Sequence, residues 1–270
     1  MNEEPRLARV ASWNVNSLRV RLPQLTDWLS ATPVDVLGLQ ETKLTDDGFP
    51  HDALRELGYQ ARASGQKTYN GVALLSRQPL EDVVLDFPDL EDPQRRLIAA
   101  TSGGVRYVNV YVPNGQAVGS DKYDYKLRWL AALRRFLATE LARHERLVVM
   151  GDFNIAPEDR DVHDPELWRG QVLCSEPERE AFQSLLALGL VDTFRQFDQP
   201  PGLFSWWDYR QGGFRRNNGL RIDLLLASRA QATDCRESRI DKEPRRAERP
   251  SDHAPAVAGF AVPAIGAAAP

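Results

Sequence analysis

The stretch from Val105 to Val112 reads Val-Arg-Tyr-Val-Asn-Val-Tyr-Val. Val108, Val110 and Val112 alternate with Tyr107, Asn109 and Tyr111, a period of two that belongs to an extended strand with two different faces. Seven further apolar runs read as strands: Val10 to Val15, Val34 to Leu39, Val72 to Leu75, Leu97 to Thr101, Leu147 to Met150, Ile222 to Ala227 and Ala256 to Phe260. Helix signals lie between only some of them. Leu127, Leu130, Leu133, Leu137 and Leu141 form one stripe at steps of three or four. Leu22, Leu25 and Leu29 form a second, with Pro23 placed in a first turn, and Phe182, Leu185, Leu186 and Leu190 a third. Many strands with few helices exclude a simple doubly wound sheet. They predict an α/β protein (α+β by some schemes) with two sheets packed face to face and helices outside. At 270 residues the chain can bury its own core without a disulfide or metal staple. One domain is expected over 7–261, with 1–6 and 262–270 as flexible tails.

Charge and cysteine content narrow the function classes. Lys and Arg total 34 against 38 Asp and Glu, a net charge of -4, whereas a protein that merely coats DNA is basic. A basic face can still be local: Arg210, Arg215, Arg216 and Arg221 stand against Asp208 alone between Ser205 and Arg221. No apolar run approaches the roughly 18 residues of a membrane span. Met1-Asn2-Glu3-Glu4-Pro5 carries acids where a signal peptide needs bases, and Cys174 and Cys235 form no framework, so a cytoplasmic setting is expected. Neither a P-loop nor a dinucleotide fingerprint opens any helix.

The informative pattern is what stands at strand ends. Asn14 and Asn16 close the first strand, Glu41 the second, Tyr111 and Asn114 the alternating one, and Asp152 and Asn154 follow Val148-Val149-Met150. Asp223 interrupts an apolar strand, and Asp252-His253 precedes the last one. Each has a structural explanation when taken singly: Tyr111 as a core aromatic, the asparagines as turn residues, Glu41 as a solvated acid. Asp152 resists that treatment, since an acid beside a buried run is costly unless it is paired or metal-bound. Asp223 calls for a partner such as His253 for the same reason. Strand ends of a sheet converge on one rim and can assemble a site from distant residues. Hard oxygen donors, Glu41 with Asp252, Asn14 or Asn16, suit Mg2+, with Mn2+ as a substitute, and no zinc-type His or Cys set is present. Such an ion beside an Asp, amides, a Tyr and a His suits phosphate-ester cleavage.

The motifs Trp13-Asn14-Val15-Asn16, Gln40-Glu41-Thr42, Tyr111-Val112-Pro113-Asn114-Gly115, Gly151-Asp152-Phe153-Asn154, Ser205-Trp206-Trp207-Asp208-Tyr209, Arg221-Ile222-Asp223 and Ser251-Asp252-His253 resemble, in order, the exonuclease III family of abasic-site endonucleases, in its bacterial form. The resemblance runs from about Ala8 to Phe260. It implies a four-layer sandwich, two mixed sheets flanked by helices with the site at one edge. It also implies hydrolysis of the phosphodiester 5′ to an abasic site in duplex DNA, leaving a 3′-hydroxyl, with 3′-to-5′ exonuclease action and cleaning of blocked 3′ ends. Carried over position by position, Glu41 is the main metal ligand, supported by Asn14, Asn16 and Asp252. A second ion, where one is used, sits near Asp152, Asn154 and His253. Asp152 orients or deprotonates water, Asn154 and Tyr111 hold phosphoryl oxygens, Asp223 orients His253, and His253 contacts phosphate. Asn114, Trp206, Leu220, Arg210, Arg215, Arg216 and Arg221 become DNA contacts, Trp206 and Leu220 shaping the pocket for the extruded nucleotide. A monomer is implied. An inositol-phosphate or sphingomyelin hydrolase would share Glu41, Asp152, Asn154, Asp252 and His253. It has no need of Tyr111 to Asn114 or of Trp206-Trp207. A non-catalytic DNA binder on the same fold would show losses among the metal and water-orienting positions, and none is lost.

Overall fold

In the computed structural model, which describes residues 6–262, two six-stranded sheets face each other. The first runs, in spatial order, β13 (Cys235–Ile240), β14 (Ala256–Ala261), β1 (Leu7–Asn14), β2 (Val36–Gln40), β4 (Val72–Ser76) and β3 (Gln60–Ser64). The second runs β5 (Glu81–Val84), β6 (Leu97–Ser102), β7 (Val105–Tyr111), β8 (Leu147–Asp152), β12 (Asp223–Ser228) and β9 (Leu190–Asp192). A two-stranded ribbon, β10 (Trp206–Trp207) with β11 (Gly219–Leu220), stands apart from both. Each large sheet has one parallel pair near its centre, β1 with β2 and β7 with β8, and every other pairing is antiparallel. A parallel pair needs a crossover. Helix α1 (Leu18–Ala31) makes the first; the short α2 (His51–Glu56) follows β2. The second crossover is α3 (Asp121–Arg143), with Ser120 capping its N-terminus by accepting from the Tyr123 amide. The turn α4 (Pro165–Trp168) and helix α5 (Glu176–Leu186) come next.

Alternation along the strands builds the layers. Tyr107, Val148 and Met150 point between the sheets and meet Val10, Val36, Leu74 and Ala258 of the other sheet. Val108, Val110, Leu147 and Val149 point the other way, onto Leu130, Leu133 and Leu137 of α3 and Phe182 of α5. Ala11, Trp13, Leu37 and Leu39 likewise meet Leu25, Trp28 and Leu29 of α1 on the outer face of the first sheet. The result is helix, sheet, sheet, helix, the four-layer arrangement expected.

Several local expectations are corrected. Pro23 is the sixth residue of α1, not part of its first turn; it lies on the solvent face, where the missing donor uncovers only the exposed Arg19 turn. Leu190 opens β9 instead of extending the third helical stripe. Arg6 pairs with Asp35 and its carbonyl accepts from the Val262 amide at 2.9 Å, so the two expected tails are joined to the first sheet at these residues. Residues 1–5 and 263–270 lie outside the described part. Among the described residues no helix is long and apolar enough to cross a membrane.

Candidate active site

Parallel strands point their C-terminal ends the same way, so β1, β2, β7 and β8 deliver Asn14, Glu41, Tyr111 and Asp152 to one rim. The antiparallel strand β12 starts at that rim, with Asp223 in register opposite Asp152. His253 arrives just before β14 and is bridged to Trp206 of the ribbon. Gly151 permits the tight approach of β8 to β7: a Cβ there would fall 2.0 Å from the Val110 carbonyl oxygen. The apolar strands thus fix the frame, and the polar residue ending each one becomes part of a single constellation.

Glu41, Asp152 and His253 each present a ligand atom within 4.8 Å of the others. Asn14, fully buried, ties the two acids together: its Nδ2 donates to Glu41 Oε1 at 2.9 Å and to Asp152 Oδ2 at 3.0 Å. Asp152 also accepts from the Asn154 amide at 2.9 Å. Two carboxylates, with no thiol, match the donor chemistry of a hard divalent cation. Burial by itself would raise the Glu41 pKa, but Lys43, the Asn14 donor and the charge on His253 more than offset it, so the carboxyl lies below its ordinary value. Burial dominates at Asp152 and, with Asp223 nearby, pushes it up to about 7 despite the opposing charge of His253. The Asp223 carboxylate accepts from His253 Nδ1 at 2.9 and 3.1 Å, which aims Nε2 toward Asp152 Oδ2 at 3.8 Å. Burial would lower the His253 pKa; the two carboxylates outweigh it and raise it to about 10.

Tyr111 stands over this cluster, its ring covered by the Arg96 guanidinium at 4.5 Å. Burial and then the Glu41 carboxylate hold its hydroxyl well above the usual phenol range, so it remains a neutral donor. Asn154 adopts a left-handed backbone, φ 48°, and its Nδ2 donates to the Val112 carbonyl at 3.0 Å. Asn114 reaches across to it, Nδ2 to Asn154 Oδ1, at 3.1 Å. Beside these residues lies a groove of about 700 Å³ lined by Arg96, Asn114, Lys122, Asn70 and Tyr125.

Four expected ligand positions are also tied to their neighbours by hydrogen bonds. Asn14 turns its Oδ1 to the Asn16 amide at 3.0 Å, and Asn16 turns its own to Lys43 Nζ at 2.6 Å. The Asn154 oxygen accepts from Asn114. Asp252 lies outside the three-residue cluster and accepts from Asn16 Nδ2 at 2.9 Å and Trp206 Nε1 at 3.0 Å. These bonds brace Glu41, Asp152 and the loop of His253, and each of these oxygens accepts one bond and keeps a second lone pair. One expected DNA contact is corrected. Arg221 is 1% exposed and sits between Asp161 and Asp192, so it is an interior ion-pair residue. Leu220 pairs with the half-buried Trp206 across the ribbon and is fully buried in a cluster with Val162, Leu173 and Ile222, the apolar setting that the expected pocket needs. Arg210, Arg215 and Arg216 do lie exposed on the segment following Trp206.

Sequence reading missed two supports. Ser251 Oγ donates to the Asn14 carbonyl at 2.6 Å and accepts from the His253 amide at 3.2 Å, joining the first and last strands at the rim. Lys126 Nζ, fully buried, donates to the Asn154 carbonyl at 2.6 Å and the Asn114 carbonyl at 3.1 Å. Its position was a usable signal: 126, 130, 133 and 137 share one helical face, so a lysine lies on the apolar stripe.

The endonuclease/exonuclease/phosphatase family model matches residues 11–253. Exodeoxyribonuclease III of Haemophilus influenzae is 38% identical over 262 residues, covering 92% of this chain and 98% of that protein. A 3′ phosphatase from Neisseria bound to a product DNA hairpin is 51% identical, with a TM-score of 0.92 over 94% of this chain and 99% of its own. An AP endonuclease from Archaeoglobus fulgidus is 38% identical, with a TM-score of 0.90 over 94% and 99%. With this fold, these paired carboxylates and this extent of likeness, the chain is a phosphodiester hydrolase that belongs to the endonuclease/exonuclease/phosphatase family, in its exonuclease III branch.

Proposed function

We propose that this protein is a DNA repair nuclease that hydrolyses the phosphodiester 5′ to an abasic site in duplex DNA, leaving a 3′-hydroxyl. It also removes nucleotides from 3′ ends and cleans blocked 3′ termini. The observation that carries this reading is the meeting of Glu41, Asp152 and His253 beside Tyr111 and Asn154, within a chain whose relatives act at DNA ends and abasic sites. The ion is Mg2+, with Mn2+ able to replace it, held by Glu41 and Asp152. When bound, it supplies positive charge for the phosphate and leaving oxygens. Asp152, fixed by Asn14 and the Asn154 amide, orients the attacking water and takes its proton. The His253 Nε2–H and the neutral Tyr111 hydroxyl donate to phosphoryl oxygens, where charge grows in the transition state. Asp223 keeps the His253 ring in that orientation. Arg210, Arg215 and Arg216 meet the sugar-phosphate backbone, which sets register without reading sequence. Residues 7–261 work as one domain, as a monomer in the cytoplasm.

The test uses three duplexes: one with an abasic-site analogue, one undamaged, and one ending in a 3′-phosphate. Each is incubated with Mg2+ or with EDTA. Cutting at the lesion and release of the 3′-phosphate, both abolished by EDTA, support the proposal. Activity that persists in EDTA, or no action on any duplex with either ion, overturns it.

A further inference from the structure

Lys126 of α3 and Glu178 of α5 form an ion pair with no exposure on either side chain. Burying two charges is expensive, and a packed apolar pair would hold α3 against α5 at least as well. Three ammonium donors explain why a lysine stands there. One goes to Glu178; the others go to the carbonyls of Asn154 and Asn114. Those carbonyls belong to the two loops that leave the parallel strands β7 and β8. The same two residues meet again through their side chains, Asn114 Nδ2 to Asn154 Oδ1 at 3.1 Å. Asn154 holds a left-handed φ of 48°, a conformation that asparagine tolerates and that these bonds hold in place. The loop closes tightly on the lysine stem, since a Cβ on Gly115 would come within 3.1 Å of Lys126 Cδ. Glu178 is itself anchored, accepting from the amides of Leu173 at 3.0 Å and Ser175 at 3.1 Å.

We infer that Lys126 is a positioning residue of the phosphodiesterase: its ammonium sets the spacing of the Asn114 and Asn154 loops, and through it the angle at which Asn154 faces Asp152 and the substrate phosphate. This rests on the proposed nuclease function and on Asn154 holding a phosphoryl oxygen, the role that the family resemblance implies for it. Displacements of about 1 Å in such a group cost on the order of a hundredfold in rate. The pair Lys126→Met with Glu178→Gln removes both buried charges while leaving one side-chain oxygen to accept from the Leu173 or the Ser175 amide. It is expected to fold and bind DNA with KM changed less than about threefold, and to lose kcat by roughly ten- to a hundredfold. The deciding measurement is a cycle with Asn154→Ala. With the Asn154 carboxamide gone and only its backbone amide left on Asp152, the double change should cost much less kcat than in the parent background; an equal loss in both backgrounds overturns the inference. Lys126→Arg keeps the charge opposite Glu178 but cannot offer the same donor geometry. It serves the same cycle should the double variant unfold, with the same expected and overturning results. Full activity of Asn154→Ala alone would instead count against the role proposed for Asn154.

Discussion

Arg221 separates two accounts of the basic segment by experiment. As a phosphate contact, its loss should weaken DNA binding and reduce the salt dependence by about one counterion, leaving stability unchanged. As an interior residue, its loss should unfold the protein more easily and leave binding by the folded fraction intact. The structure gives the size of the second effect. Arg221 Nε and Nη2 bond Asp161 at 2.6 and 3.2 Å, Nη2 bonds Asp192 at 2.8 Å, and the guanidinium lies 4.9 Å from the Phe194 ring centroid. Removing one partner from a buried ion pair costs about 3–5 kcal/mol. Asp161 keeps Arg195 and the Glu158 amide at 3.1 Å, whereas Asp192 keeps the Phe194 amide at 3.1 Å. Partial compensation at Asp161 places Arg221→Met near the lower end, about 3 kcal/mol, or roughly 6–12 °C in Tm for a domain of this size. Thermal melts followed by circular dichroism measure it, alongside fluorescence anisotropy on a duplex at several salt concentrations. An unchanged Tm with a flatter salt slope would refute the interior assignment.

Asp152→Asn should lower turnover by roughly 10²–10⁴-fold with DNA affinity in a mobility shift nearly intact; lost binding with retained turnover per bound complex would contradict the water-orienting role. Glu41→Ala should raise the Mg2+ concentration for half-maximal rate, and a wild-type Mg2+ titration would remove Glu41 from the metal site. Asp223→Asn keeps a hydrogen bond to His253 but not the charge, so activity should fall about ten- to a hundredfold, and Tm should fall too because a buried ion pair loses one charged partner. Gly151→Ala puts a Cβ into the Val110 carbonyl and should destabilise by about 1–3 kcal/mol or more, read as a lower urea midpoint.

The eight strands legible in the sequence are the eight inner strands of the two sheets. The four that escaped, β3, β5, β9 and β13, are the four edges. An inner strand between a helix layer and another sheet has apolar demands on both faces, which leaves a run such as Val148-Val149-Met150. An edge strand is free to carry Glu81-Asp82-Val83-Val84 or Cys235-Arg236-Glu237-Ser238, and charge there discourages edge-to-edge pairing. The same contrast made the site readable. Asn14, Glu41, Asp152 and Asp223 are conspicuous because each stands at the end of a run that should be apolar.

Charged residues away from the sheets gave the weaker reading, for a physical reason. Arg221 and Arg215 lie six residues apart and look alike in sequence; one is wholly enclosed by two aspartates and the other is exposed. What distinguishes them is tertiary: Asp161 and Asp192 are 60 and 29 residues away from Arg221. Local charge counting cannot register partners at that separation. Lys126 is the instructive middle case. Its helical phase with Leu130, Leu133 and Leu137 marks it as inward-facing before any partner is known, and a charge held inward requires a set of acceptors. Periodicity therefore predicts the burial, and burial predicts the network; only the identity of the acceptors, Asn114, Asn154 and Glu178, has to come from the fold.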